Sequence, residues 1–315
     1  MARPRALFFG TPDFAVPALR ALHEIATVPL VITQPDRPKG RGMKLAPPPV
    51  KELALELGLP VLQPTKVRTP EFAASLREHD ADVALVIAYG RILPKAVLEA
   101  PRLGCVNVHA SILPSLRGAA PIQWSVVRGE TETGVCLMQM DEGLDTGPVL
   151  ACERLAIGPD ETSAALSERL SALGAALVRA ELPRFLAGEL LATPQDHTRA
   201  TLAPLLSKHD GAIDWSRPAR ELHNLVRGFS PWPGAFSSLS GTRLKVLSTQ
   251  VRDEQTGHAA PGKLLELTRE GIDVACGRGT LRLVELQLEG AKRLPAADFS
   301  AGQRLVVGQR LGDPK

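Results

Sequence analysis

Residues 107 and 109 pose the chemical question. In Cys105-Val-Asn107-Val-His109-Ala-Ser111-Ile-Leu-Pro114 a β-branched run gives way to a loop. Residues two apart on a strand share a face, so an amide and an imidazole stand side by side where the strand ends. In an open α/β sheet, ligands bind at that carboxyl edge. The pair would equally suit a core in which backbone groups satisfy both. A carboxylate widens the chemistry: Asp145 lies in the turn-rich stretch Asp141-Glu-Gly-Leu-Asp-Thr-Gly147, after another predicted strand. Amide, imidazole and carboxylate fit acyl transfer to an amine without a covalent intermediate. The amide can hold the carbonyl oxygen, an imidazolium can stabilise the charge developing there, and the carboxylate can help remove the amine proton, directly or through water. None of the three is a strong nucleophile.

Other chemistries lack their spacing. The chain has no GxSxG elbow, no Walker A loop, no HxxxH pair and no CxxC. No metal site is expected. The other histidines, His23, His79, His197, His209, His223 and His258, fall in helical or polar stretches and are predicted at the surface. The widely spaced Cys105, Cys136, Cys152 and Cys276 predict buried free thiols in a reducing cytoplasm. The N-terminus carries no signal-like apolar stretch and no window approaches a membrane span, so a cytoplasmic protein is expected.

Alternating elements must position the candidate residues. Strand-like runs at 5–9, 28–33, 61–62 and 83–88 alternate with helical patterns at 17–25, 50–57, 70–79 and 94–100. This rhythm predicts an α/β fold, a Rossmann-like, mostly parallel sheet with helices on both faces. Gly10-Thr-Pro-Asp13 carries a single glycine, which disfavours a dinucleotide site. Residues 34–45 hold Arg37, Lys39, Arg41 and Lys44 against one acid, Asp36. Their prolines and glycines predict a mobile, irregular basic loop at the same edge as Asn107, suited to a phosphate-rich substrate. Strands at 133–140 and 149–157 predict a hairpin. Thr162 is placed to cap a long helix, which Pro183 should end or kink.

These elements make residues 1–188 a first domain. Periodicity then fades over 189–207, a predicted linker. Short strands with glycine turns over 208–315 predict a small antiparallel β-barrel, OB-like. With 315 residues, 44% hydrophobic content and a mean hydropathy of +0.01, the chain can bury two ordinary cores. Its net charge of +3 is uneven: residues 1–205 sum to −1 and residues 206–315 to +4, which leaves the smaller domain basic.

The ordered set Asn107-Val-His109, Ser111-Ile-Leu-Pro114, Arg117-Gly-Ala-Ala-Pro-Ile122 and residues 141–147 resembles the folate-dependent formyltransferase family. Gly10-Thr-Pro-Asp-Phe-Ala15, Pro35-Asp-Arg-Pro-Lys-Gly-Arg41, Asp210-Gly-Ala-Ile-Asp-Trp215 and Pro231-Trp-Pro-Gly-Ala235 extend the resemblance over nearly the whole chain. They point to its branch acting on methionyl initiator tRNA. The resemblance implies formyl transfer from 10-formyltetrahydrofolate, a co-substrate, with Asn107, His109 and Asp145 as catalytic residues. It implies a folate pocket of Ser111, Ile112, Leu113, Pro114 and Ser115, with the backbone of Val86, Ile87, Ala88, Tyr89, Asp141 and Gly143, and a cis Leu113–Pro114 bond. Arg37, Lys39, Arg41 and Lys44 would meet the tRNA acceptor end, Phe14 the methionyl side chain, and the basic domain the tRNA body. A monomer with no obligate protein partner is expected. Ser115 and Leu116 depart from the basic and aromatic residues of the family pattern. Two alternatives stand beside this: a formyltransferase acting on a nucleotide sugar or glycinamide ribonucleotide, and an RNA-binding barrel with an inactive first domain.

Overall fold

The computed structural model describes residues 3–39, 44–255 and 259–312. The chain forms two units: Met1–Pro121, Glu132–Ala156 and Ser167–Ala203 make the first, and Ile122–Thr131, Ile157–Leu166 and the chain from Pro204 make the second.

In the first unit, β1 (Ala6–Gly10) leads through a 3-10 turn into α1 (Val16–Ile25), which carries Pro17 in its first turn and buries the stripe Ala18, Leu19, Ala21 and Leu22. Next come β2 (Val31–Ile32), β3 (Arg37–Lys39), β4 (Lys44–Ala46), α2 (Pro49–Glu56), β5 (Val61–Leu62) and α3 (Pro70–Arg77), followed by β6 (Val83–Ile87), α4 (Lys95–Leu98) and β7 (Cys105–His109). The Thr69 hydroxyl caps α3 by accepting from the Phe72 N–H at 3.2 Å. The chain continues through β8 (Arg117–Gly118), α5 (Pro121–Val127), β9 (Glu132–Gln139), β10 (Val149–Ala156) and α6 (Ser163–Leu186).

The main sheet runs β10-β9-β7-β6-β1-β2-β5, parallel from β5 to β7 and antiparallel at β9 and β10. The carboxyl ends of β1, β2, β6 and β7 therefore share one edge. β1 and β6 are buried at every residue, as apolar runs covered on both faces are. Leu7, Phe9, Ile32 and Val86 pack with Phe72 and Leu76 of α3 and Val97 of α4 in one core.

Four expectations change here. The basic stretch is not wholly irregular: β3 and β4 pair as an antiparallel ribbon, Arg37 opposite Ala46 and Lys39 opposite Lys44. Pro38 is tolerated because both strands of an isolated ribbon are edges, where a missing N–H costs no ladder bond. Arg41 lies outside the described residues. Cys136 and Cys152 are not free thiols; they face each other across β9 and β10 and form a disulfide. Only the hairpin register brings them together. Cys105 and Cys276 are free, and burial pushes both thiols up to about 12. Pro183 does not stop α6, which runs to Leu186 and closes at Gly188, φ +77°. His223 is buried rather than at the surface.

The 189–207 segment is stitched to the first unit along part of its length. Thr193 bridges Val149, and β11 (Leu202–Ala203) pairs with β8.

In the second unit, α7 (Ala219–Gly228) precedes β12 (Ala235–Leu239), β13 (Thr242–Asp253), β14 (Leu264–Leu267), β15 (Ile272–Ala275), β16 (Thr280–Leu288), β17 (Arg293–Pro295) and α8 (Ala296–Gln303). The antiparallel order is β12-β13-β16-β15-β14, with β17 on β16. The expected antiparallel domain is present, and among the described residues no pairing joins β12 to β14. Ser240 and Gly241 both take positive φ at the β12–β13 turn, as a two-residue hairpin requires. The early segments are integral to this unit. Trp124 meets Phe229 edge to face with centroids 5.6 Å apart, and its indole N–H donates to the Pro204 carbonyl at 2.9 Å. The buried Arg227 donates to the carbonyls of Gly158 and Glu161.

No helix among the described residues is long and apolar enough to cross a membrane. Asp273 and Arg282 form a bidentate pair across β15 and β16, at 2.6 and 2.9 Å, both buried. Asp273→Ala leaves a buried guanidinium without its main partner and should cost about 3–5 kcal/mol, read as a lower denaturant midpoint of the full chain.

Candidate active site

β7 delivers Asn107 and His109 to the carboxyl edge. Its run of β-branched residues and its pairing with β6 on one side and β9 on the other fix the strand to its last residue. His109 is buried, and Asn107 is half-buried. The Asn107 amide makes no hydrogen bond among the described residues, so its donors are free for a ligand.

His109 Nε2 lies 3.0 Å from the Leu116 carbonyl, which can only accept, so this nitrogen carries a proton. Nδ1 faces Asp145 Oδ2 at 3.6 Å, with side chains 6% and 16% exposed. Both ring nitrogens thus look onto acceptors. Asp145 takes φ +52°, and its Oδ2 accepts from the Gly118 N–H at 2.8 Å. Gly118 has φ +121°, and a Cβ there would sit 2.7 Å from the Ala203 carbonyl oxygen.

A buried polar chain holds this loop. The Gln195 amide donates to the carbonyls of Asp145 at 2.9 Å and Gly147 at 2.7 Å. Its oxygen accepts from Arg117 at 2.7 and 3.1 Å, and Arg117 also meets His197 Nδ1 at 3.0 Å. The Leu116 N–H donates to the Thr201 hydroxyl at 2.9 Å. Leu116, at φ +60°, thus contributes through its backbone, which its side-chain type does not reveal.

Two cavities open at this edge. One of about 150 Å³ is lined by Arg91, Ile92, Leu93, Met138, Met140 and residues 141–145. The other, about 380 Å³, is lined by Thr11, Pro12, Gln34, Arg37, residues 88–90 and the proline run 47–49. The expected folate residues divide between them. Asp141 and Gly143 line the smaller cavity, and Ala88 and Tyr89 the larger. Val86 and Ile87 are buried in β6. Tyr89 packs edge to face on Phe9, and burial pushes its hydroxyl up to about 12.

Residues 111–115 form a turn against this region. The Ser111 hydroxyl donates to the Ser115 carbonyl at 2.5 Å, Leu113–Pro114 is cis, and Ile112 and Leu113 pack on Cys136 and Met138. Phe14 is half-buried in the turn after β1 and lines neither cavity. Arg37 is exposed on β3, and Lys39 and Lys44 stand opposite each other at the ribbon's end.

Arg91, Ile92, Leu93, Met138, Met140 and Gln195 were not among the expected site residues. A usable signal existed for residues 91–93, which follow a strand at the carboxyl edge. Gln195 offers no such signal, because its partners lie 48 to 78 residues away. Among the described residues no group of three or more His, Cys, Asp or Glu could hold a metal ion.

The formyl transferase family model matches residues 5–181, and the model of the formyl transferase C-terminal domain matches residues 205–304. This chain belongs to the formyl transferase family.

Among curated relatives of this formyl transferase, the methionyl-tRNA formyltransferase of Sorangium cellulosum is 60% identical over 98% of this chain and 99% of its own length. That of Myxococcus xanthus is 56% identical over 98% of both. Solved structures share the fold at lower identity. HypX from Aquifex aeolicus, in complex with tetrahydrofolic acid, has a TM-score of 0.63 at 19% identity, covering 100% of this chain and 49% of that one. The sugar 3N-formyltransferase WlaRD, in the presence of dTDP and 5-N-formyl-THF, has a TM-score of 0.68 at 15% identity, covering 93% and 100%.

Gln195 holds the Asp145 loop without lining either cavity. Gln195→Ala should therefore lower kcat for formyl transfer, on the order of 10–100-fold for a displaced carboxylate, with little change in folate affinity. Steady-state kinetics alongside a folate-binding titration check this.

Proposed function

We propose that this chain transfers the formyl group of 10-formyltetrahydrofolate to the α-amino group of methionyl initiator tRNA, giving N-formylmethionyl-tRNA. Full-length identity of 60% to a methionyl-tRNA formyltransferase carries this reading, and the meeting of Asn107, His109 and Asp145 at one sheet edge gives it chemistry.

In this mechanism the amine lone pair attacks the formyl carbon while the carbonyl π electrons move onto oxygen. The free Asn107 amide donates to that oxygen, and His109 stabilises the negative charge. Asp145, fixed by the Gly118 N–H, takes up the amine proton directly or through water. Collapse of the tetrahedral intermediate re-forms the carbonyl from the oxyanion pair and breaks the bond from the formyl carbon to the folate nitrogen. That nitrogen keeps the bond's electrons, receives the proton held at Asp145 directly or through water, and leaves as tetrahydrofolate.

The smaller cavity is the proposed pterin site. Met138, Met140 and Leu93 supply apolar walls, and the 141–143 backbone supplies polar edges. Residues 111–115 back it through Ile112 and Leu113 against Met138, while Ala88 and Tyr89 line the acceptor side. The larger cavity then takes the acceptor end, with Phe14 near the methionyl group and Arg37, Lys39, Arg41 and Lys44 on the tRNA backbone. The unit drawn mainly from residues 1–188 acts as the catalytic domain, and 189–207 connects it onward. The unit drawn mainly from 208–315, with 122–131 and 157–166, is the basic domain that holds the tRNA body. The enzyme works as a cytoplasmic monomer.

Initiator Met-tRNA should be formylated in preference to glycinamide ribonucleotide or an amino-sugar nucleotide at matched salt. Preference for a small amine would overturn the acceptor. Asn107→Ala should lower kcat about 10²–10³-fold, as loss of one oxyanion donor does, with folate binding retained. Arg37→Ala should raise the KM for Met-tRNA and flatten its salt dependence, leaving the folate KM in place. Equal losses toward both substrates would remove the ribbon from the tRNA interface.

A further inference from the structure

The disulfide between Cys136 and Cys152 lies in the same unit as the reactive residues. In the sheet Cys136 stands opposite Cys152 of β10 on one side and opposite His109 of β7 on the other. One residue thus joins the sulfur bridge to the strand end that carries the imidazole. Cys136 also packs with Met138 and Leu113 in a buried cluster, with Ile112 and Val149 against it. Met138 in turn lines the proposed pterin cavity.

The bridge closes a ring of chain. Its two cysteines are 16 residues apart, and between them lie the end of β9, the 141–147 loop and the start of β10. Met138, Met140 and residues 141–145 of the cavity wall fall inside this ring, and so does the Asp145 carboxylate that faces His109. A cross-link around a segment of this length removes open conformations that the segment could otherwise visit. The link matters most at the loop's root. The β9–β10 pairing shifts register between Val149 and Ala151, between the bridge and the loop, and a ladder is locally disrupted at such a shift.

The two sulfurs differ in access. Cys136 is fully buried, whereas Cys152 is exposed on β10, the edge strand of the sheet. A thiolate arriving from solvent therefore meets Cys152. Cys105 and Cys276, the remaining cysteines, are buried thiols pushed up to about 12, so they stay protonated and do not compete. In the reducing cytoplasm proposed above, lasting disulfides are rare, and those that form are usually transient or redox-sensing.

We propose that Cys136–Cys152 is a thiol–disulfide exchange site through which a thiol reductant tunes formyl transfer. The inference rests on the formyl-transfer reading above. A reductant thiolate attacks Cys152 Sγ, and the broken S–S bond leaves its electron pair on Cys136 Sγ, which takes up a proton. A second reductant thiolate attacks the first reductant's sulfur in the mixed disulfide, and Cys152 departs as a thiolate that is protonated in turn. Two reductant thiols become one disulfide and supply both protons, while the protein disulfide becomes two thiols. Oxidised glutathione runs the same steps in reverse. The reduced hairpin keeps its ladder and the Gln195 contact to the loop, so activity falls without vanishing.

The test poises the full chain in glutathione buffers from reducing to oxidising. It follows formyl transfer to Met-tRNA and, in parallel, maleimide labelling of Cys152. The oxidised chain should resist labelling and show a folate KM about three- to tenfold below that of the reduced chain, with the Met-tRNA KM unchanged. That is less than the hundredfold an ångström of misplacement can cost, because ladder and Gln195 still hold the loop. Cys152→Ser, at an exposed position, should keep the reduced-state folate KM at every poise. A CxxC dithiol protein run beside glutathione tells a protein reductant from a small thiol by which one opens Cys152 to labelling faster. Labelling that ignores the poise, a folate KM that ignores it, or a dependence that survives in Cys152→Ser would overturn the site. No transfer at any poise would overturn the formyl-transfer reading, while the labelling would still report whether exchange occurs.

Discussion

Everything at the reactive edge hangs on one carboxylate. Asp145 Oδ2 accepts the Gly118 N–H and faces the His109 ring, so a single side chain ties the 141–147 loop to the end of β7 and to the 117–121 segment. The arrangement needs a residue in the left-handed region at 145, a glycine at 118 and a carbonyl at 116 to hold the far side of the imidazole. A carboxylate held by a backbone N–H cannot drift away from the ring it faces, which keeps acceptor and imidazole in register without a second charged partner.

The parallel sheet supplies this centre, and the antiparallel strands complete it. β7 is the last parallel strand. β9, beside it in the opposite direction, brings Met138 next to Asn107 and so supplies the apolar wall opposite the reactive amide. A wholly parallel sheet would need a helical crossover at this point. β9 instead runs back beside β7 until Gln139 stands opposite Val106, and the 141–147 loop that follows brings Asp145 to within 3.6 Å of the His109 ring.

Much of this was legible in the sequence, for identifiable reasons. Continuous apolar runs such as Val83–Ile87 and their alternation with helices specify the sheet. Asn107 and His109 are legible because the strand period of two leaves no choice of face. The misses share one cause, dependence on partners remote in sequence. The disulfide needs the β9–β10 register, the ribbon at 37–46 needs knowledge that both its strands are edges, and Gln195 acts 50 residues from the loop it supports. His223 was misplaced because a polar residue on α7 turns inward to meet the Thr249 hydroxyl at 3.0 Å. Leu116 departs from the family pattern in its side chain, yet it is its backbone that serves His109 and Thr201.

The second unit recruits two short pieces from the middle of the chain, and this limits its modularity. Arg227 finds acceptors at Gly158 and Glu161, Phe229 finds Trp124, and Ser163 donates to the Ser230 carbonyl. The last third of the chain, severed at residue 204, would carry a buried guanidinium left with Asn224 alone of its acceptors, and a bare aromatic face. Such a domain cannot be handed intact to another enzyme by moving one contiguous stretch of gene.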